Sequence, residues 1–241
     1  MKRIVLIALI AALPAMAQRP RTNNTFASEQ QTVPVVANVT GIGGKFVTWL
    51  GILNPTSTAY SVTASLYDAN GTKRDAMINL AAGELKTYDN FLETVFAGYS
   101  GGGAVTFRAP SSANRFIVTS EVRSGGYSTP VATIDFPGSG SRSFSAGVSV
   151  DATSRTNIGC FNQSAAANTI TATVYDKSGT QTLGTVTLPL VANAWGQTNV
   201  PVVVSDGFVR FAPQDAALCY AVVVTNQTND GRYLPAAEYQ P

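Results

Sequence analysis

A stretch of 25 residues occurs twice in this chain. Residues 48–72 align without a gap to residues 156–180, at an offset of 108 positions. Ten of the 25 positions are identical, namely Thr48/Thr156, Gly51/Gly159, Asn54/Asn162, Ala59/Ala167, Thr63/Thr171, Ala64/Ala172, Tyr67/Tyr175, Asp68/Asp176, Gly71/Gly179 and Thr72/Thr180. A repeat of this length indicates two copies of one module, so whatever one copy folds into must also suit the other.

Each copy carries the pattern of a half-buried strand. Residues 61–66 and 169–174 alternate between small hydroxyl residues and apolar ones. Period two of this kind is typical of an antiparallel strand with one face on a core. The strand is followed by Tyr-Asp-x-x-Gly-Thr, where the aspartate bonds its own downstream backbone and the glycine supplies a positive φ. Each copy therefore begins with a strand, a loop, a second strand and a turn.

The rest of the chain shares this β character. Short strand patterns recur with turn signals every 8 to 12 residues, and almost no helical period is present. The predicted fold class is all-β, with two tandem antiparallel β-sandwich domains of immunoglobulin-like architecture. We predict a first module over residues 32–138, a Gly/Ser linker over 139–142 and a second module over 143–241. Residues 18–31 are polar and aperiodic, which predicts a flexible lead.

The segment PVVANVTGIGGKFVTWLGILNP, residues 34–55, resembles a repeat found in uncharacterised secreted proteins of bacteria. Its marks are a Pro-Val-Val-Ala strand, a Gly-rich turn, an aromatic-x-Thr strand and Asn-Pro. The resemblance covers one module and implies a β-sandwich repeat rather than a particular activity. The second copy departs from the pattern, because it lacks both the Gly-rich turn and a proline after Asn162.

The first 17 residues have the features of a secretory signal peptide. Lys2 and Arg3 precede an apolar run over residues 4–13, and Ala-Met-Ala at 15–17 suits cleavage. No later apolar run approaches the roughly 20 residues that a spanning helix needs, so no membrane span is expected. We therefore expect a secreted or periplasmic protein, or one held at the cell surface.

Charge argues against nucleic acid as a partner. The chain has 16 Lys and Arg residues against 14 Asp and Glu residues. Removing Lys2 and Arg3 with the signal peptide brings the net charge to about zero. A basic groove is not indicated, and we expect an extracytoplasmic protein or polysaccharide as partner.

Both cysteines, Cys160 and Cys219, lie in the second copy. In an oxidising compartment they are expected to form a disulfide. Closing the loop between them would stabilise the fold by roughly 4 kcal/mol in the chain-entropy model. By analogy with immunoglobulin domains, this disulfide is expected to join two sheets. A zinc site is not predicted, because two thiols without histidine do not supply the usual four ligands.

The chain has no histidine, which excludes Ser-His-Asp and Cys-His catalysis. Carboxylate pairs remain open as glycosidase groups, the four candidates being Glu84, Asp89, Glu93 and Glu121. They occupy ordinary surface positions, and most are replaced in the second copy. Calcium is weighed at Asp68 and Asp176, but one aspartate per turn is too little for six to eight oxygen ligands. We predict no catalytic residue, no metal and no cofactor, and hence no enzyme.

Three aromatic residues are the candidate binding residues: Trp49, Tyr88 and Trp195. Trp49 and Trp195 lack an aromatic counterpart in the other copy, which favours peripheral or surface positions over a shared core. Tyr88 precedes Asn90 and Glu93, whose spacing fits a helix capping box. The Gly-rich turn at 41–44, Trp49 and the segment from Tyr88 to Phe96 all belong to the first module, which places the predicted partner surface on the loops of that module.

The copies can also be aligned near their ends. With Pro110 set against Pro213, the last strand of the first copy aligns with that of the second, which pairs Phe116, Val118 and Ser120 with Cys219, Ala221 and Val223. The two modules are expected to fold independently.

Taken together, these patterns favour a secreted, non-enzymatic interaction or structural protein of the adhesion or surface-binding type. It would present loops or edge strands to an extracytoplasmic partner. One alternative is a carbohydrate-binding accessory module. Another is a subunit of an extracellular fibre, in which one chain donates a strand to the next.

Overall fold

The period-two patterns become antiparallel strands throughout the computed structural model, which describes residues 27–135 and 138–238. These two ranges are called the first half and the second half. The predicted signal peptide at 1–17 and most of the predicted lead lie outside the described residues. The all-β, antiparallel class is confirmed.

The described residues form seventeen strands and one short helix. The elements of the first half are β1 (Gln30–Gly41), β2 (Gly44–Leu53), β3 (Tyr60–Tyr67), β4 (Lys73–Leu80), β5 (Leu85–Tyr88), α1 (Phe91–Val95), β6 (Gly101–Arg108), β7 (Ile117–Ser124) and β8 (Tyr127–Val131). Those of the second half are β9 (Ser143–Val150), β10 (Ser154–Asn162), β11 (Asn168–Tyr175), β12 (Thr182–Leu190), β13 (Trp195–Asn199), β14 (Val204–Ala212), β15 (Ala217–Thr225), β16 (Gly231–Pro235) and β17 (Ala237–Glu238).

Strand pairs of the first half recur in the second half eight strands later. The first half is one eight-stranded sheet, ordered β4-β3-β6-β1-β2-β7-β8, with β5 also paired to β2. The second half has two sheets, β13-β10-β15-β16 and β12-β11-β14-β9-β17. We call the β13-β10-β15-β16 sheet the middle sheet. The first half has an extra pairing, between β1 and β2, which joins all its strands into a single sheet, and the second half has an extra pairing between β9 and β17.

That extra pairing depends on the Gly-rich turn. Gly41 pairs with Gly44, and only two residues separate them. Gly43 and Gly44 have φ of 83° and 156°, which a side chain would strain. In the second half, the connection from β9 to β10 is held instead by Asp151, whose carboxylate accepts backbone hydrogen bonds from Thr153 and Ser154.

Each half has its own cluster of buried apolar residues. The first includes Val36, Leu50 and Phe107, and the second includes Ile158 and Phe211. In the second half both sheets contribute to the cluster, as the alternation of their strands requires.

The disulfide between Cys160 and Cys219 is present. The expectation that it joins two sheets is wrong, because Cys160 and Cys219 are direct cross-strand partners on β10 and β15 of the middle sheet. Ile52 and Val118 form the corresponding pair on β2 and β7 of the first half. The alignment that set Phe116 against Cys219 is therefore also wrong. The loop from β6 to β7 is longer than the loop from β14 to β15, which shifts the register.

Strand β1 begins at Gln30, inside the region predicted as a flexible lead. The Gln31 side chain is buried and bridges two backbone groups, since its amide donates to Phe116 O and its oxygen accepts from Val118 N. In the predicted linker, Ser139 is hydrogen bonded to Glu238 of β17. These backbone and side-chain bonds tie both segments to the adjoining sheets.

Helix α1 begins where the capping box predicts it. The Asn90 side chain accepts from Glu93 N at 3.4 Å, and Phe91 and Leu92 are buried in the first core. No helix among the described residues is both long enough and apolar enough to cross a membrane.

Candidate functional site

The residues shared by the two repeated stretches hold turns. Asn54 and Asn162 are fully buried, and each side-chain amide donates to two backbone carbonyls at 2.8 to 2.9 Å. Asp68 and Asp176 each accept backbone N–H groups inside the turn that follows their strand. These roles are structural and closely similar in the two halves, so the positions at which the halves differ are the candidates for a functional site.

The middle sheet is covered on both faces. Residues that face the core of the second half include Ile158, Cys160, Cys219 and Ala221. Residues that face the first half include Trp195, Tyr220, Val222 and Tyr233, which belong to or pack against the core of the first half. Successive residues of β15 thus point alternately into two different cores.

Tyr220 connects the two halves. Although it lies on β15, its side chain is completely buried in the core cluster of the first half. Its ring crosses Gly159, where any Cβ would overlap the tyrosine hydroxyl. That hydroxyl accepts from Trp195 Nε1 at 3.1 Å and donates to Gln197 Oε1 at 3.0 Å. Burial raises the pKa of Tyr220, so the group stays neutral and available as donor and acceptor.

Beside this contact lies a cavity of about 560 Å³, which we call the inter-half cleft. Its floor is the middle sheet and its other wall is the inner face of the first half. The apolar residues that line it include Val35, Val39, Phe46, Val122, Trp195 and Val222. Polar residues gather on the second-half side, where they include Arg155, Asn157, Gln197, Asn199 and Asn229.

The β1–β2 turn forms the rim of the inter-half cleft. Ile42 lines the cleft yet is 71% exposed. Gly43 lies against the Asn229 side chain of the second half, where an added Cβ would come within 2.5 Å of Asn229 Nδ2. The glycines therefore allow the turn to reach across to the second half.

Arg155 is half-buried at the polar side of the cleft. Its guanidinium donates to Asn226 Oδ1 at 3.1 Å and to Asn229 Oδ1 at 2.8 Å. Both acceptors are neutral, and no carboxylate of the described residues forms an ion pair with Arg155. Partial burial lowers the pKa of Arg155 because the charged form is desolvated.

The structure does not bring the three predicted aromatic residues together. Trp195 lines the inter-half cleft, with its ring against Gly102 of β6. Tyr88 is the cross-strand partner of the buried Leu50 and packs edge-on to Phe91 at 5.6 Å, so it faces the first core. Trp49 precedes Leu50 on β2 and faces the opposite way, outward from the first core.

On that outward face Trp49 is half-buried among polar neighbours. The Arg123 guanidinium lies over its ring at 5.0 Å from the centroid. Arg123 also pairs with Glu121 at 2.6 Å. Gly51 and Thr119 lie beside the ring and leave it room on the sheet. The outward face therefore carries an aromatic ring that is covered in part by a charged guanidinium.

The four candidate carboxylates have structural partners. Glu84 accepts from Ala81 N at 2.6 Å, and Glu93 accepts from Asn38 and Asn90. Glu121 and Asp89 both contact Arg123. Within residues 27–135 and 138–238, no group of three or more Asp, Glu, Cys or His side chains is placed to hold a metal ion.

Sequence reasoning missed Tyr220 and Arg155. A signal for the double-faced sheet is present, since residues 217–224 are apolar without a break instead of alternating. Such runs are typical of strands buried on both faces. Alignment of this run with the alternating last strand of the first copy implies one buried face, whereas the strand is buried on both faces.

No protein-family model matches this chain, and a search of curated proteins finds no match.

Proposed function

We propose that this chain is a secreted, non-enzymatic interaction protein of the surface-binding type, which holds an apolar part of an extracytoplasmic partner in the inter-half cleft. Loops and strand ends of both modules contribute to that site. The β1–β2 turn supplies its rim, in keeping with a partner surface on the loops of the first module.

The modules themselves are part of the proposal. We interpret the first and second halves as two tandem β-sandwich modules of immunoglobulin-like architecture. The recurrence of six strand pairs at an offset of eight strands supports this interpretation, as does a separate buried cluster in each half. The disulfide and the signal-like pattern at 1–17 support export to an oxidising compartment.

The observation that carries the binding role is the cleft itself. Binding sites for small molecules are concave, mostly apolar, roughly 300 to 1,000 Å³ in volume, and frequent at domain interfaces. The inter-half cleft has a volume of about 560 Å³, an apolar wall and polar groups that lie mostly on the second-half side. The absence of histidine and the engaged carboxylates favour binding over catalysis.

The test uses the neutral fluorescent dye N-phenyl-1-naphthylamine, whose emission rises in apolar surroundings. The wild-type protein should bind the dye. Val122→Trp should abolish most of the signal, because the added ring fills the cleft from the first-half wall. Val203→Trp is the matched control, since Val203 is 77% exposed and outside the cleft.

Ile42→Asp provides a second variant that leaves the core unchanged. Ile42 and Val203 have similar exposure, so Val203→Asp controls for the added charge. Ile42→Asp should weaken dye binding while Val203→Asp does not. Equal dye binding by wild type, Val122→Trp and Ile42→Asp would contradict the proposed site.

One observation favours carbohydrate binding as a second candidate function. Trp49 places an aromatic ring on an outward sheet face, with the Arg123 guanidinium over the ring and Glu121 paired with Arg123. Sugar rings pack on such surfaces, and charged side chains bond their hydroxyls. A glycan array that gives signal with wild type and none with Trp49→Ala would favour this function. A glycan signal that is unchanged in Trp49→Ala would contradict a carbohydrate site at Trp49.

A further inference from the structure

Arg155 is the only charged side chain among the described residues that line the inter-half cleft. All other polar groups there are amides or hydroxyls. A ligand that enters the cleft therefore meets one localised positive charge and otherwise neutral surface.

The guanidinium of Arg155 has N–H donors beyond those that bond the two asparagines. A guanidinium carries five N–H groups. One Nη1 group is directed to Asn226 and one Nη2 group to Asn229, which leaves three N–H groups. The two asparagines hold the guanidinium in place without neutralising it. This arrangement differs from Arg123, whose charge is balanced by Glu121 and Asp89.

A half-buried charge without a counter-ion is costly, and an arriving anion offsets that cost. Arg is suited to this role because its planar fork matches a carboxylate in a two-bond geometry. Next to Arg155, Asn157 and Asn199 are cross-strand neighbours that also line the cleft and can donate to the same anion.

The remainder of the ligand must be apolar. Val35, Val39, Phe46 and Val122 form the first-half wall of the cleft. Val222 and Val224 add apolar surface on β15, where Val224 is the cross-strand partner of Arg155. Burial of a methylene group against such a wall contributes about 0.8 kcal/mol. An aliphatic chain or a ring fits this surface better than a sugar.

We infer that the inter-half cleft binds an amphipathic carboxylate, with the acid group on Arg155 and an apolar chain or ring along the valine-lined wall. The inference rests on the proposed function, whose cleft it shares, and it adds the chemical class of the ligand.

The experiment compares two surfactant-like probes of opposite charge, and the alkyl chain of the cation is one methylene group longer. Octanoate and octyltrimethylammonium are titrated separately into the full-length protein by isothermal calorimetry. Octanoate should bind about tenfold more tightly than octyltrimethylammonium, the ratio expected for one hydrogen-bonded charge contact. Equal affinities, or tighter binding of the cation, would overturn the inference.

Three variants locate the effect. Arg155→Gln should weaken octanoate binding about tenfold, and Arg155→Lys should keep the preference for octanoate over the cation because it keeps the charge. Arg115→Gln is the matched control, since it removes the same charge from an exposed loop residue at the far end of β1. Octanoate affinity unchanged in Arg155→Gln would overturn the inference, provided that thermal melting shows the variant folded.

The dye experiment separates this inference from the proposed function. If the neutral dye binds in the cleft while octanoate shows no preference, the ligand class is wrong and the cleft remains a binding site. If the dye does not bind, yet octanoate binds with Arg155 dependence, the carboxylate site stands and the purely apolar description of the cleft fails. If neither binds, both are wrong.

Discussion

The middle sheet and its counterpart in the first half share their strand pairs but not their surroundings. The counterpart consists of β5, β2, β7 and β8, paired in the same order. Its outward face carries Trp49, and at the position opposite Gly51 it carries the exposed Thr119. In the middle sheet the corresponding positions are Asn157, which lines the cleft, and Tyr220, which is buried in the other half.

The comparison shows how one scaffold serves two purposes. Asn54/Asn162 and Asp68/Asp176 perform the same structural tasks in both halves. The outer face of the sheet is free to change, because turns and inner alternation already fix the strands. In the second half that face became an interface and the floor of a cleft.

The largest expected effect comes from truncating the inter-half contact. Tyr220→Ala should lower the free energy of unfolding by about 4 kcal/mol, because it opens a large cavity in a core to which both halves contribute. Thr119→Ala, at the equivalent exposed position of the first half, should cost less than about 0.5 kcal/mol. Denaturant unfolding measures both, and similar values for the two variants would remove the contrast between the faces.

The disulfide is the next difference between the halves. Replacing Cys160 and Cys219 by alanine should cost about 3 kcal/mol, since the cross-link restricts the unfolded chain. The double variant Cys160→Ile with Cys219→Val reproduces the pair Ile52 and Val118 of the first half and should recover about 1 kcal/mol through added apolar burial. Urea unfolding under oxidising conditions checks this order. A double-alanine variant as stable as wild type would contradict it.

Buried asparagines test the similarity of the halves rather than their difference. Asn54→Ala and Asn162→Ala should each cost about 2 kcal/mol, because each leaves buried carbonyl groups without a donor. The two losses should agree within about 0.5 kcal/mol. Asn79→Ala, an exposed site, is the control. A loss confined to one half would show that the turns are not equivalent.

The smallest effect concerns the connection from β9 to β10. The pKa of Asp151 is lowered from 3.8 to about 2 by hydrogen bonds to its carboxylate. The largest contribution comes from the Thr153 hydroxyl, and backbone N–H groups contribute next. A carboxyl with a lowered folded pKa stabilises the fold above its unfolded pKa, and this contribution disappears as pH falls from 3.8 through about 2.

Asp151→Asn should therefore lose less stability than wild type between pH 5 and pH 2. Urea unfolding at the two pH values measures the change. Asp230→Asn, an exposed aspartate on the neighbouring loop, provides the control. The first half has glycines in place of Asp151, so its turn should not contribute. An identical pH dependence in wild type and Asp151→Asn would rule out this role.

Local pattern predicted much of the fold and less of the site. Three of the sequence patterns involve contacts within a few residues, and each corresponds to an observed element. They are the alternation over 61–66 and 169–174, the Asp-x-x-Gly turns and the Asn90 capping box. Which sheet holds each cysteine depends on long-range strand register. The analogy to immunoglobulin domains therefore led to the wrong prediction that the disulfide joins two sheets.

The role of Tyr220 depends on docking between the halves, which no local pattern encodes. Arg155 gave no signal because a lone arginine in a strand is common. Trp195 was identified as a candidate for its chemistry, yet its place in the cleft follows from the packing of β13 against β6. Long-range packing, rather than propensity, created the site.

The two tryptophans allow a direct test of the central claim, that the inter-half cleft is the binding site. Protein labelled with 5-fluorotryptophan should give two fluorine resonances, which Trp49→Phe and Trp195→Phe assign. On titration with N-phenyl-1-naphthylamine, the account predicts that the Trp195 resonance shifts and the Trp49 resonance stays in place. A shift of Trp49 with no change at Trp195 would contradict it and would place binding on the outward face of the first half.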